Sequence, residues 1–154
     1  MPEFQNWAKS MASLADLMAD AAPALGLSRA AGACLGVIWR ADSPPCADDL
    51  CSLLGLARSN VSVALRDLRE WGLVEILRLP GDRKEYFAAP AGAAELVHRL
   101  IAGHRRRIIA PLLDRLSALA AGDARAADLV SAIGAGTEAL PVAKKKKKKR
   151  RDHA

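Results

Sequence analysis

The chain has few aromatic residues and no apolar stretch long enough to cross a membrane. Aromatic residues make up 4% of the 154 residues, so the core must be built mainly from Leu, Ala, Val and Ile. Leu and Ala lose little side-chain freedom in helices, which favours a mainly helical fold. The longest apolar stretches, residues 21–27 and 108–113, are far shorter than the ~20 residues of a membrane span. Glu3 and Lys9 lie where a signal peptide would be apolar. We therefore expect a soluble, cytoplasmic protein with no membrane partner.

The sequence also offers little material for metal or catalytic chemistry. Its three cysteines, Cys34, Cys46 and Cys51, match no metal-ligand spacing, which favours buried structural cysteines over a redox-sensing thiol. His98 and His104 are six residues apart and share a helix face poorly, so neither a metal nor a cofactor is expected. Because no catalytic triad, glycine-rich phosphate loop or paired carboxylate motif is present, the sequence predicts a protein that is not an enzyme.

Positive charge is concentrated at the end of the chain. The net charge is +6, but residues 144–151 are all Lys or Arg, and residues 1–143 hold 15 basic and 16 acidic side chains. The basic tail consists of Lys144, Lys145, Lys146, Lys147, Lys148, Lys149, Arg150 and Arg151. Like charges in such a run repel one another, so residues 138–154 are predicted to be disordered. We expect nonspecific nucleic-acid contacts from this tail, with binding of RNA or an acidic partner, or no function, as alternatives.

Helical periodicity marks an N-terminal helix over residues 1–23, ending near Pro23. Its apolar residues follow spacings of three and four, which is typical of a packed helical seam. They are Phe4, Trp7, Met11, Leu14 and Met18. This seam predicts a dimerisation helix whose partner is either the C-terminal helix or a second subunit. A second helix is predicted from the N-cap residue Ser28 to Arg40, with Gly32 and Gly36 on one face for close approach to another helix.

The region 24–90 shows the order of a winged helix-turn-helix domain. A short helix is predicted over Ala47–Leu54, a tight turn at Gly55 and a longer helix over Arg58–Trp71. Strands are then predicted over Leu73–Leu79 and Lys84–Ala88. The residues predicted to be buried are Leu50, Leu54, Leu56, Val61, Leu65 and Leu68. This order predicts a mainly α fold with a small β-hairpin wing, flanked by N- and C-terminal dimerisation helices.

A long helix over residues 91–120 is predicted to follow the hairpin, with a kink or break at Pro111. Its apolar face runs from Val97 to Leu119. A weaker helix is predicted over residues 124–133, after which Gly134 and Gly136 should loosen the chain. Residues 91–137 are therefore assigned to dimerisation.

The outward face of the second helix of the helix-turn-helix is predicted to bind double-stranded DNA. Ser and Asn can hydrogen-bond base edges, Val can contact a thymine methyl group, and Arg can bind phosphate. The predicted base readers are Ser59, Asn60, Ser62 and Val63; the predicted backbone contacts are Arg58, Arg66 and Arg69; the predicted wing contacts are Arg83 and Lys84. The alternative for the arginines is a solvated helix face, and for the wing a turn in which the cations pair with Asp82 or Glu85.

Three stretches of this region resemble a known family. Residues 27–36 (LSRAAGACLG), 56–74 (LARSNVSVALRDLREWGLV) and 80–87 (PGDRKEYF) are similar to the GbsR-type branch of the MarR-like transcriptional regulators. The resemblance implies a homodimeric bacterial repressor, associated with the nucleoid and modulated by a small-molecule effector of unknown identity. The alternative is a winged-helix protein-interaction module, or a nonspecific nucleic-acid-binding protein that uses its polylysine tail.

Overall fold

The computed structural model describes residues 2–138, and it describes the side chains of residue 9 and residues 13–137. The basic tail therefore lies outside the described residues, as do the side chains of Phe4, Trp7 and Met11. The helices are α1 (Pro2–Leu25), α2 (Arg29–Arg40), α3 (Ala47–Leu54), α4 (Arg58–Glu70), α5 (Ala93–His104), a π-helical turn (Arg105–Ile109), α6 (Ala110–Leu119) and α7 (Ala124–Glu138). The strands are β1 (Glu75–Arg78) and β2 (Glu85–Ala88). The predicted fold class, mainly helical with one small hairpin, is confirmed.

Helix α1 packs along α2, and two glycines allow the close approach. A Cβ atom on Gly32 would overlap the Met18 carbonyl oxygen and lie 2.7 Å from the Ala22 Cβ, while one on Gly36 would lie 2.8 Å from the Ala15 Cα. The prediction of a close helix contact at these glycines is confirmed. This part of α1 packs on α2 of the same chain through the buried residues Ala15, Ala19 and Ala22, a contact that the seam did not predict. The reason is that small residues on both helices bring the backbones together.

The end of α1 also differs from the prediction, because the helix continues past Pro23 to Leu25. A proline in the last turn is tolerated when the next residues close the helix in another way. Here the Gly26 N–H donates to the Pro23 carbonyl (3.1 Å), and the Leu27 N–H donates to the Ala22 carbonyl (3.0 Å). Gly26 has a φ of 88°, the left-handed conformation that this ending requires. The helix end is therefore set by Gly26 and not by the proline.

The helix-turn-helix forms where the sequence predicts it. Ser28 caps α2 by accepting a hydrogen bond from the Ala31 N–H at 3.0 Å. Asp49 in the first turn of α3 accepts from the Cys46 N–H at 2.8 Å, and this bond lowers the pKa of the Asp49 carboxyl group. Gly55, with a φ of 63°, makes the turn into α4. Of the predicted core residues, Leu50, Val61, Leu65 and Leu68 are buried, while Leu54 and Leu56 are half-buried against the core.

The wing is a two-stranded antiparallel hairpin that is anchored to the helices on one side. Its register pairs Glu75 with Ala88 and Arg78 with Glu85. The strands are shorter than predicted, since residues 73 and 74 are buried next to α4 and residue 79 belongs to the turn. A bridge between Tyr86 and Cys46, and a hydrogen bond of 2.9 Å from the Phe87 N–H to the Pro45 carbonyl, attach β2 to the start of α3.

The C-terminal helix is interrupted just before Pro111. The π-helical turn Arg105–Ile109 separates α5 from α6, and the Ala110 N–H donates to the Arg105 carbonyl. A π-turn widens the backbone, which accommodates a proline that cannot donate an amide bond. The interruption predicted at Pro111 is thus present. The predicted end near Gly134 was wrong, because α7 continues through Gly134 and Gly136 to Glu138. No neighbouring atom lies within 4 Å of a Cβ built on either glycine, so they cost helix propensity but create no clash.

The core lies between α2, α4 and the wing, with the C-terminal part of α1 added on one side. Its largest fully buried side chains are Leu35, Leu50, Val61, Leu68, Leu73 and Cys34. Burial raises the pKa of the Cys34 thiol to about 12, and Cys46 is also buried, as expected for structural cysteines. Within residues 2–138, no helix is long and apolar enough to cross a membrane.

Candidate nucleic-acid interface

Helix α4 has one buried face and one open face. Val61, Ala64, Leu65 and Leu68 point into the core. The four predicted base readers, Ser59, Asn60, Ser62 and Val63, are all exposed. Val63 has 46% of its surface exposed, which leaves it open to contact with another molecule. The 3.6-residue period of the helix thus separates the residues that hold α4 in place from those that it presents.

A row of arginines runs along the side of α4 that faces the wing. Arg58, Arg66 and Arg69 lie at spacings of eight and three, which place them on one side of the helix. Together with Ser62 they line a groove of about 300 Å³ against Glu85 and Phe87 of β2. Ser59, Asn60 and Val63 fall on the adjoining sector of the open face. The predicted backbone contacts and base readers therefore form two neighbouring strips, with Ser62 in the strip of arginines.

The arginines of this row are held loosely. Arg58 forms an ion pair and hydrogen bond with Asp48, and both side chains are more than 60% exposed. Arg66 lies 3.9 Å from Asp67, and Arg69 forms no ion pair with a described residue. Exposed ion pairs contribute about 0–1 kcal/mol, so these guanidinium groups can exchange a carboxylate for a phosphate at small cost. The helix face is solvated in the free protein and still available to an anion.

The wing tip presents two further cations. Gly81 has a φ of 81°, and Arg83 and Lys84 after it are exposed. The alternative, in which Arg83 or Lys84 pairs with Asp82 or Glu85, is not observed. Within residues 2–138, neither cation forms an ion pair. Glu85 instead binds Arg78 at 2.6 Å across the hairpin.

Both oxygens of the Asp82 carboxylate in this turn accept hydrogen bonds. The carboxylate accepts a hydrogen bond from the Tyr86 hydroxyl at 2.6 Å and one from the Lys84 N–H at 2.9 Å. These two bonds, the hydroxyl bond first, lower the pKa of Asp82. The same contact raises the pKa of Tyr86 to about 12.

A second groove joins the wing tip to the start of α4. It has a volume of about 590 Å³, and its basic residues are Arg58, Arg78, Arg83 and Lys84. Arg78 was not among the predicted site residues. The two-residue period of the strand and its pairing with Glu85 could have indicated it, because they place Arg78 on the α4 side of the hairpin with Ile76. The structure thus brings the predicted wing residues and the first arginine of α4 into one groove, whose lining also includes the carboxylates of Asp48, Asp82 and Glu85.

The other end of α4 is tied to the C-terminal helices. Arg107 forms an ion pair with Glu70 at 2.7 Å, and the Arg106 guanidinium lies 3.4 Å from the Glu70 carbonyl oxygen. Arg99 of α5 donates to the Gly72 carbonyl at 3.0 Å. The Trp71 ring packs against Gly103, where an added Cβ would lie 2.5 Å from the ring. Two of the three arginines of the run Arg105–Arg107 thus contact the end of α4.

The fold and the exposed face of α4 define a winged helix-turn-helix protein. Residues 25–85 match the model of the MarR family, and the chain has the fold of the winged-helix transcriptional regulators of that family. The match covers the end of α1, the helix-turn-helix and the hairpin up to the start of β2.

Two solved structures of transcriptional regulators are similar to the chain. One has a TM-score of 0.63 and 24% identity, with 83% of this chain and 90% of that chain covered. The other, a transcriptional regulator from Thermotoga maritima, has a TM-score of 0.44 and 15% identity, with 90% of this chain and 94% of that chain covered. No curated protein matches the sequence.

Proposed function

We propose that the chain is a sequence-specific, homodimeric transcriptional repressor of the GbsR-type branch, modulated by a small-molecule effector. The observation that carries this proposal is the continuous surface formed by the open face of α4, its arginine row and the cationic wing tip. A helix that presents short polar side chains fits the major groove of DNA, and a cationic wing fits the adjacent minor groove.

The contacts divide by their chemistry. Ser59, Asn60, Ser62 and Val63 read bases, and Asn60 can bind an adenine through two hydrogen bonds. Arg58, Arg66 and Arg69 neutralise phosphates and fix the orientation of α4. Arg83 and Lys84 enter the minor groove. Because Ser62 lies beside the arginines, its contact is to a base or to the phosphate next to it.

Dimerisation is proposed through the ends of the chain. The C-terminal helices leave large apolar side chains uncovered: Val97 is 52% exposed, Ile108 40%, Leu112 43% and Leu119 74%. Apolar groups in this number on one long segment are typical of an interface. A second copy would cover them and place two α4 helices at a fixed separation, as paired half-sites in DNA require.

Regulation by an effector is proposed to act through the links between the C-terminal helices and the end of α4. The Arg107–Glu70 ion pair, the Arg99–Gly72 hydrogen bond and the Trp71–Gly103 contact couple these elements. An effector that binds one arrangement of the dimer more tightly than another shifts the separation of the two α4 helices only by that difference in affinity.

The basic tail, Lys144–Arg151, is proposed to add contacts that do not depend on sequence. Residues 1–143 carry a net charge of −1, so the tail supplies most of the long-range attraction to DNA. If every charge engaged a phosphate, the slope of log affinity against log salt would steepen by about seven units, at ~0.9 per phosphate. Partial engagement gives roughly two to five units per subunit.

The test is selection of bound duplexes from a random library by the intact protein, followed by affinity measurements on the selected and random duplexes. We expect a two-fold symmetric consensus. Asn60→Ala should weaken binding to the selected duplex by about 1–3 kcal/mol and leave binding to random DNA nearly unchanged. Arg66→Ala is the matched control, since loss of a phosphate contact weakens binding to both duplexes alike. A library that yields no consensus would favour the protein-interaction module.

A further inference from the structure

The wing tip is stabilised by one carboxylate that is bound from two directions. The Oδ1 atom of Asp82 accepts from the Lys84 N–H at 2.9 Å, and the Oδ2 atom accepts from the Tyr86 hydroxyl at 2.6 Å. The first bond is within the turn, and the second comes from β2. Both oxygens of Asp82 are therefore bound, and the turn is tied to the strand that follows it.

Tyr86 is itself fixed to the body of the domain. It pairs with Leu77 across the hairpin and forms a bridge to Cys46, at the start of α3, on its other side. Its hydroxyl group therefore connects the turn to the helix-turn-helix through β2. Without this bond, the turn would keep its internal bonds from the Asp82 N–H to the Leu79 carbonyl and from the Lys84 N–H to Asp82, and the Arg78–Glu85 ion pair at its base, but Tyr86 would no longer hold it.

The bond has a second consequence for the charges. Asp82 is next to Arg83 and two residues from Lys84, so an unbound Asp82 carboxylate would attract either side chain. In the structure the hydroxyl group and the amide occupy the carboxylate, and within residues 2–138 neither cation is ion-paired. Both cations thus remain available to an anion outside the protein.

We propose that Tyr86 and Asp82 form a positioning pair, which holds Arg83 and Lys84 in the orientation that contacts DNA and keeps them from pairing with Asp82. This inference rests on the proposed DNA-binding function. Tyr86 is a positioning residue because it acts through the two cations and not by touching DNA itself.

Tyr86→Phe is the appropriate variant, because it removes the hydroxyl group and keeps the ring that packs on the wing. The hydroxyl group bonds an exposed carboxylate, so we expect an unchanged melting temperature. Binding of a fluorescein-labelled duplex with A·T-rich flanks is measured by anisotropy over a range of salt concentrations. We expect affinity to fall by roughly 3–10-fold, as for loss of one productive charge contact. The salt slope should decrease by up to about 1.8 units per subunit, since two cations contribute ~0.9 each.

A double-mutant cycle separates positioning from a general effect on the wing. Arg83→Ala with Lys84→Ala should weaken binding, and adding Tyr86→Phe to that variant should produce no further loss. A loss from Tyr86→Phe of equal size in both backgrounds, or no loss in the wild-type background, would overturn the inference while leaving the DNA-binding proposal intact. Wild-type affinity in the Arg83→Ala, Lys84→Ala variant would overturn the wing contact and the inference together. Absence of any DNA binding by the intact protein would overturn the proposed function itself.

Discussion

Replacing Gly32 with Ala tests the packing of α1 on α2. In an isolated helix this change would be favourable by about 1 kcal/mol, because Ala has the higher helix propensity. In this protein the new Cβ would overlap the Met18 carbonyl oxygen and lie 2.7 Å from the Ala22 Cβ. The atoms it meets belong to a helix backbone and a side chain with no rotatable bond, so the contact is relieved only if α1 moves as a whole.

The two effects have opposite sign, and their sizes decide the outcome. Overpacking a tight contact costs about 1–3 kcal/mol, and the upper part of this range applies where backbone must move. After the gain in propensity is subtracted, we expect Gly32→Ala to reduce the free energy of unfolding by roughly 1–2 kcal/mol. This corresponds to a fall in melting temperature of about 2–4 °C for each kcal/mol.

Gly134→Ala is the matched control, because Gly134 is also inside a helix and has no atom within 4 Å of the added Cβ. We expect it to leave stability unchanged or to raise it by up to about 1 kcal/mol. Both variants are compared with the wild type by urea unfolding, followed by circular dichroism at equal protein concentration. Equal effects of the two substitutions, or stabilisation by Gly32→Ala, would refute the close packing of α1 on α2.

Three further predictions concern capping, burial and assembly. Asp49→Ala should destabilise the protein by about 1 kcal/mol at pH 7, because the hydrogen bond to the Cys46 N–H is lost. That bond lowers the pKa of Asp49, so its stabilising effect is present above the ordinary pKa of 3.8. The difference in stability between variant and wild type should disappear in acid unfolding curves as the pH falls below 3.8. Cys34 should not react with a thiol reagent in the folded protein at pH 8, since its pKa is raised to about 12. Because the thiol of the unfolded chain ionises first, the free energy of unfolding keeps its full value below pH 9.0 and decreases as the pH rises towards 12. Rapid labelling at Cys34, identified by peptide mapping, would contradict its burial. Sedimentation at micromolar concentration should show a dimer that Leu112→Arg converts to a monomer, and a folded wild-type monomer would exclude the proposed interface.

The sequence was sufficient for those features that depend on local pattern. The limits of α3 and the start of α4 follow from Gly55 and the apolar period, and the structure has them where they were predicted. Gly32 and Gly36 indicated a close contact because their spacing puts both on one helix face. The identity of the neighbouring helix did not follow, because it depends on which small residues of another segment come within reach.

The errors arise where a local signal competes with tertiary structure. Pro23 and Gly134 predict helix ends, yet a Schellman ending at Gly26 extends α1 to Leu25, and α7 continues past Gly134 to Glu138. The role of Arg107 at the end of α4 depends on a contact with Glu70, 37 residues earlier in the chain, and no periodicity reveals such a contact. Tyr86 was likewise missed, since its bond to Asp82 becomes visible only once the turn geometry is known.

The central claim is that the winged domain, and not the basic tail, recognises the DNA sequence. The most direct measurement compares a selected duplex with a random duplex for the intact protein and for a variant that lacks residues 144–154. We expect the shortened protein to bind random DNA more weakly and with a smaller salt slope, while its preference for the selected duplex persists or increases. Complete loss of that preference in a folded, shortened protein would contradict the account.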